Sequence, residues 1–239
     1  MSERRGLRVG DTAADAPSDC GLCPRLASFR ADNRRNSPSW HNAPVPSFGP
    51  EGAIQARLLV VGLAPGLRGA NRTGRPFTGD YAGDLLYQTM LTYGFARGRY
   101  EARPNDGLTL HDCLITNAVR CVPPENKPTP AEITTCRTFL VATLAAMPHL
   151  TAVVALGRIA HDSTLSALGA RRAAFPFAHG ARHDIRPGLT LFDSFHCSRY
   201  NTNTGKLTPE MFRAVFAAVR GHLDGVAAAP MRGRPASGR

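Results

Sequence analysis

The sequence predicts an α/β protein, a three-layer α/β/α sandwich around a mainly parallel four-stranded sheet, and three observations predict it. Four apolar runs, at residues 58–61, 113–117, 152–156 and 190–195, are each too short for a helix. Segments with apolar residues at three- and four-residue spacing separate them, and strands alternating with helices give a parallel sheet covered on both faces. At 239 residues the chain suits one domain with a substantial core.

Residues 1–18 are polar and without periodicity, and are expected to form an unpacked lead to a single domain over 19–224. Cys20-Gly-Leu-Cys23 opens a segment that reads as helical through Leu26 and Phe29, before a proline-rich stretch at 43–50. The run 58–61, Leu-Leu-Val-Val, reads as a buried strand that leaves through Gly62 into a long loop, 62–80. That loop ends at Asp80, just ahead of a helical pattern of Leu85, Leu86, Met90 and Tyr93, where an acid is ordinarily a cap. After the second strand, the prolines of 123–128 impose a rigid loop, and Thr129-Pro130 with Glu132 forms a capping box for a helix through Ile133, Cys136, Leu140 and Leu144. The third strand closes at Gly157 before a helix carrying Ile159, Leu165 and Leu168. The fourth runs into His196-Cys-Ser-Arg-Tyr-Asn201, and Thr208-Pro209 starts a last helix with Phe212, Val215, Phe216 and Val219 on one face. From 225 to 239 the chain is Ala, Pro, Gly and Arg without apolar period, and a disordered basic tail is expected.

A net charge of +11, from 29 Lys and Arg against 18 Asp and Glu, states something about partners before it states anything about fold. Arginine-rich loops around a pocket turn that charge toward nucleic acid. No apolar stretch approaches the ~20 residues of a membrane span, and Glu3, Arg4 and Arg5 without an apolar core are not a signal peptide. A cytoplasmic, reducing setting is therefore expected, in which cysteines are ligands or core residues rather than disulfides.

The loop 62–80, GLAPGLRGANRTGRPFTGD, holds five glycines, two prolines and three arginines. Glycines let backbone N–H groups approach a ligand, and Arg68, Arg72 and Arg75 supply charge for phosphate. Gly69 to Gly74 has the spacing of a nucleotide phosphate loop, but Arg75 and Pro76 stand where that chemistry needs Lys and Ser or Thr. The four strand ends deliver this loop, Asn117, Gly157 and His196 to one edge of the sheet, the edge where ligands bind in open parallel sheets.

Among the six cysteines, Cys20-x-x-Cys23 permits a redox or a metal reading. The polar lead offers no thioredoxin-like strand, and a metal needs more thiolates, for which Cys121 and Cys136 are the candidates. Their spacing does not decide between zinc and an iron–sulfur cluster. Cys113, inside a strand, reads as core.

Three motifs in order, GLAPG with GANRTGRPFTGD, then ITNAVRCVPPENKP, then HCSRYNTNTGKLT, resemble the uracil-DNA glycosylase superfamily, and within it the iron–sulfur family 5 enzymes, over Cys20 to about Leu223. The resemblance implies a monofunctional glycosylase that removes uracil, and other deaminated or etheno-modified bases, from DNA and leaves an abasic site. It implies that Cys20, Cys23, Cys121 and Cys136 hold a structural [4Fe–4S] cluster. Phe77 resembles the ring that stacks on the flipped base, Asn117 the reader of its edge, and His196 the group that stabilises the departing base anion, with Gly62 and Ala64 lining the pocket. Other families carry a polar residue where this chain has Ala64, so Asp80 resembles the acid near the sugar. Ser198, Arg199, Tyr200 and Asn201 are candidates for a loop that probes DNA. Gly66, where many relatives have Ala, and Cys197, where Pro or Val is common, depart from the family pattern. A monomer suffices for these motifs. The rival from another class is a non-catalytic iron–sulfur module that binds DNA damage without cutting the glycosidic bond.

Overall fold

The computed structural model describes residues 15–50 and 55–228. Its centre is a five-stranded sheet in the order β4-β1-β5-β7-β6, built from β1 (Leu58–Gly62), β4 (Cys113–Asn117), β5 (Ala152–Leu156), β6 (Arg182–Arg186) and β7 (Leu189–Ser194). The four strands expected from the apolar runs are present and mutually parallel. The fifth corrects the expected count: β6 pairs antiparallel with β7 at the sheet edge. Its residues, Arg-His-Asp-Ile-Arg, alternate between exposed and half-buried, so a strand solvated on one face leaves no apolar run to detect. Two further two-residue strands, β2 (Ala96–Arg97) and β3 (Thr109–Leu110), pair apart from this sheet.

The pleat of β1 explains the layers. Leu58 and Val60 enter one core with Leu86 and Met90 of α3 (Tyr81–Thr92) and Phe212 and Phe216 of α7 (Pro209–Ala228). Leu59 and Val61 point to the opposite core with Leu140 of α4 (Pro130–Ala145) and Ala160 and Leu165 of α5 (Arg158–Ala167). Every β1 residue is buried, and full burial of one large aliphatic side chain contributes roughly 1.5–3 kcal/mol. A Val60→Asp change would put an unpaired charge into the first of these cores. The chain runs from β1 to β4 on one side and returns to β5 on the other, so the switch point lies at the carboxyl ends of β1 and β5.

Four segments differ from expectation. The loop 62–80 contains one helical turn, α2 (Ala70–Thr73), which Gly74 ends with φ +77°. Residues 199–203 form a short helix, α6 (Arg199–Asn203), because the Ser198 hydroxyl caps it at Asn201. The lead is anchored at its last residues: the Asp15 carboxylate accepts from Ser47 and from Arg120. At the other end α7 continues to Ala228, into the stretch expected to be tail. The rest of the expected lead and tail, 1–14 and 229–239, lies outside the described residues. No helix among the described residues is long and apolar enough to cross a membrane.

Candidate active site

Gly62, the last residue of β1, is the point on which the pocket converges. It pairs in register with Asn117, the last residue of β4. A Cβ at Gly62 would lie 2.3 Å from Asn117 Oδ1 and 2.5 Å from Phe77 Cζ, so only glycine leaves room for both. Asn117 is buried and its Oδ1 has no hydrogen-bond partner among the described residues. An orphaned buried carbonyl oxygen is costly and calls for a ligand donor.

Phe77 faces His196 with ring centroids 5.8 Å apart and planes 28° from parallel. Phe77 sits at φ +51°, a region a bulky side chain avoids, so its backbone is held there by its surroundings. His196 follows β7 beside Gly157, whose φ of +99° rather than any lack of space favours glycine: a Cβ there would lie 3.5 Å from His196 Cβ, an ordinary contact. Burial pushes the imidazole down to about 4, so it is neutral near pH 7. Its backbone carbonyl accepts from Asn201 Nδ2 at 2.8 Å. That bond ties half-buried Asn201 to the histidine turn.

Asp80 occupies the N-cap position of α3 but does not cap it. Its Oδ1 is buried and unpaired, and Cβ atoms at Gly66 and Gly69 would meet Oδ2 at 2.9 and 2.2 Å. The loop glycines therefore make a cradle for this carboxylate. Burial raises the Asp80 pKa, partly opposed by the amides of Gly83 and Ala82, and Asp84 raises it further. The Gly66 departure thus has a local reason: a methyl group there would press on the carboxylate.

Cys197 is buried, and its thiol donates to the carbonyl of Ala82 at 3.4 Å, which ties the histidine turn to the head of α3. Ala64, half-buried two residues past Gly62, packs on the cluster of Leu26, Val119, Cys121 and Cys136.

The arginines divide. Arg68 and Arg72 are exposed on the loop, and Arg199 lies over the ring of Tyr81 at 5.4 Å beside the exposed Tyr200. Arg75 is buried and makes two hydrogen bonds, of 2.8 and 2.7 Å, to Asp106. Its expected phosphate contact is therefore corrected to an internal ion pair. The loop composition could not reveal this, because the partner lies 31 residues away in a segment without a motif.

Cys20, Cys23, Cys121 and Cys136 line one cavity with Leu22, Leu26 and Phe139. Cys23 stands at the head of α1 (Pro24–Asn36) and Cys136 within α4. These helices are joined by Arg25, whose guanidinium grips both oxygens of Glu132 at 2.8 and 2.7 Å. Glu132 also completes the capping box at Thr129, as the sequence predicted. The backbone N–H of Arg120 donates to Cys136 Sγ at 3.2 Å. Burial pushes the Cys121 thiol up to about 12; Arg30 opposes this, and the other three cysteines add to it. Cys113 lies apart in the core, as expected.

A second group able to hold an ion joins His161 of α5, His183 of β6 and Asp193 of β7, with ligand atoms within 4.8 Å of one another. Each imidazole already takes a different oxygen of Asp193, at 2.7 and 3.1 Å, and the triad ties three elements together two residues before Phe195 leads into His196. Neither it nor the Arg75–Asp106 pair has a sequence signal beyond residue type.

The chain that builds this pocket, with its ring, amide, imidazole and unpaired carboxylate, has relatives. A family model described as the uracil DNA glycosylase superfamily matches residues 50–220. The chain belongs to the uracil DNA glycosylase superfamily. Within the superfamily it is 45% identical to the type-5 uracil-DNA glycosylase of Thermus thermophilus, over 82% of this chain and 90% of that one. The type-5 enzyme of Mycobacterium tuberculosis is 41% identical over 83% and 76%. A type-4 uracil-DNA glycosylase of Archaeoglobus fulgidus is 37% identical over 48% and 49%. Superfamily membership bears out the expected α/β sandwich, with one more strand than foreseen.

Proposed function

We propose that this protein is a monofunctional DNA glycosylase that hydrolyses the N-glycosidic bond of uracil in DNA and leaves an abasic site for base excision repair. The observation that carries the reading is the convergence of Phe77 and Asn117 on Gly62, with His196 against the Phe77 ring and an unpaired Asp80 oxygen set into the adjoining loop. Curated relatives that cover most of this chain bear the name uracil-DNA glycosylase.

A base inside a duplex is out of reach, so the nucleotide is flipped into the pocket at a cost of a few kcal/mol of unstacking. Phe77 stacks on the flipped base, and the orphaned Asn117 Oδ1 accepts its N3–H while the amide N–H₂ donates to O4. Bond cleavage builds positive charge on the sugar and negative charge on the base. Neutral His196 donates a hydrogen bond to the base anion in a dry pocket, where such a bond is strong. Asp80, as its carboxylate, stabilises the sugar cation and orients the attacking water, a task Ala64 has no group to perform. Neither lysine of the motifs, Lys127 beside Glu125 or Lys206 over the Phe195 ring, is placed to form a Schiff base, so the strand stays intact; strand scission without alkali would refute this.

Arg68 and Arg72, with Ser198, Arg199 and Tyr200, form the DNA-facing rim, where contacts to phosphate position the duplex rather than read it. The four cysteines and their apolar cavity suit a [4Fe–4S] cluster: an all-thiol donor set, with the Nε and Nη1 atoms of buried Arg30 unpaired nearby to offset cluster charge. Bound there, the cluster braces α1, α4 and the 121–128 loop and takes no part in bond cleavage. The protein acts as a monomer in the cytoplasm, on chromosomal DNA.

The test is single-turnover base release from duplexes carrying uracil, hypoxanthine or ethenocytosine, scored by alkaline cleavage at the abasic site. Release from uracil is expected, with slower release from the other two. Tight binding without release from any duplex would replace this reading with a damage-binding module.

A further inference from the structure

We propose that Tyr100 is a positioning residue for base excision: its hydroxyl holds the Phe77 backbone, and so the Phe77 ring, in the geometry that receives the base. The inference rests on Phe77 being the ring that stacks on that base. Tyr100 belongs to the excursion between β2 and β3, which carries none of the motifs.

Phe77 is held in the left-handed region at φ +51°, and its segment is irregular and buried, so its carbonyls need partners other than a ladder. Three consecutive carbonyls each take a side-chain hydroxyl. Tyr87 Oη donates to Pro76 O at 2.6 Å, Tyr100 Oη to Phe77 O at 3.2 Å, and Thr73 Oγ1 to Thr78 O at 2.9 Å. Gly83 presses on the same spot: a Cβ there would lie 1.9 Å from Phe77 O and 2.3 Å from Tyr100 Oη. The glycine in α3 thus admits the tyrosine to the carbonyl.

Tyr100 is itself fixed. Its ring lies 4.7 Å from that of Tyr87, and the Arg75 guanidinium sits 5.8 Å from its centroid. Arg75 binds Asp106, which also accepts from the backbone N–H groups of Glu101 and Leu108 at 2.9 and 3.1 Å. One carboxylate therefore closes the turn that carries Tyr100 and docks it on the pocket loop through Arg75, two residues before Phe77. The excursion serves as a brace for the stacking ring.

The test is Tyr100→Phe, which removes one hydroxyl and keeps the ring. Single-turnover release of uracil should fall about tenfold, as expected for one lost internal hydrogen bond that orients a reacting partner, with duplex binding unchanged. In a Phe77→Ala background the same change should cost nothing further, because Tyr100 acts through Phe77. Unchanged release by Y100F, or an equal loss in both backgrounds, would overturn the proposal. A crystal structure of Y100F reads the positioning without reference to turnover. Rotation of the 77–78 peptide and departure of the ring from His196 are expected, and an unmoved Phe77 would overturn the proposal. If the wild-type protein releases no base, the glycosylase reading fails, and this structure alone decides the role of Tyr100.

Discussion

Around the cysteines Arg25 grips Glu132, and buried Arg120 meets Asp15, Ser47 and Thr143, while Nε of Arg120 and Nε and Nη1 of Arg30 keep no partner among the described residues. Around the base pocket Asp80 and Asn117 each keep a buried oxygen without a partner. The two regions share strand exits, since Gly62 and Asn117 lead within a few residues to Ala64 and Cys121. Beside the cysteines the groups left over are donors on arginines that also fix loops, and in the pocket they are acceptors that a substrate can satisfy. Such unsatisfied groups cost folding stability and are retained where chemistry needs them.

The largest expected effect breaks the pocket side of that contrast. Asp80→Asn should slow base release by about a hundredfold or more while duplex binding stays near wild type, since one charge is lost with little change of shape. It should also raise the melting temperature at pH 7. The folded pKa of Asp80 lies above its ordinary 3.8, so the native state binds the proton more tightly, and the ionised carboxylate costs stability above that folded value. Wild-type turnover with an unchanged melting temperature would remove Asp80 from the mechanism.

On the cysteine side the same kind of change should act in the opposite order. Cys20→Ser or Cys136→Ser should abolish brown colour and lower soluble yield before it alters the chemistry of protein that stays folded. Cys113→Ser, in the core, should keep its colour and lose about 1–3 kcal/mol from a buried hydroxyl. A colourless wild type would refute the cluster, and a colourless C136S of equal stability would refute its bracing role.

The pH dependence separates the two acid–base groups of the pocket. Because His196 is pushed down to about 4 from 6.5, the unfolded chain binds more protons between these values, and stability should rise with pH across that window. Activity should show no inflection at 6.5. Its acid limb should instead reflect protonation of Asp80 above 3.8, together with that of His196 near 4. A bell centred near 6.5 in single-turnover rates would show a charged histidine at work.

How much of this could be read in the chain depends on how local the cause is. The apolar runs at 58–61 and 113–117 are local and appear as strands, and the Thr129–Glu132 capping box forms as written. The exposed edge strand β6 has no apolar period and so was invisible. In the pocket, Asn117, Phe77 and His196 sit at strand exits or in the glycine loop, and their meeting follows from parallel topology. Arg75 misleads because an arginine in a glycine loop looks the same whether it meets phosphate or Asp106. Tyr100 and Asp106 belong to the site only through contacts made across the fold.

The smallest effect sharpens that last distinction. Arg68 and Arg72 are exposed, whereas Arg75 is buried with its partner. If the exposed pair meets phosphate, each change to Ala should weaken duplex binding a few-fold, uniformly across sequences, and reduce the slope of log affinity against log salt by about one, because one fewer counterion is released. Arg75→Ala should leave that slope alone. It strands the buried Asp106 carboxylate, and breaking a buried pair from one side costs about 3–5 kcal/mol, so its loss appears in thermal melts. A slope reduced equally by all three substitutions would mean that the Arg75–Asp106 pair opens on DNA, and that the brace behind Phe77 is released when the duplex is engaged.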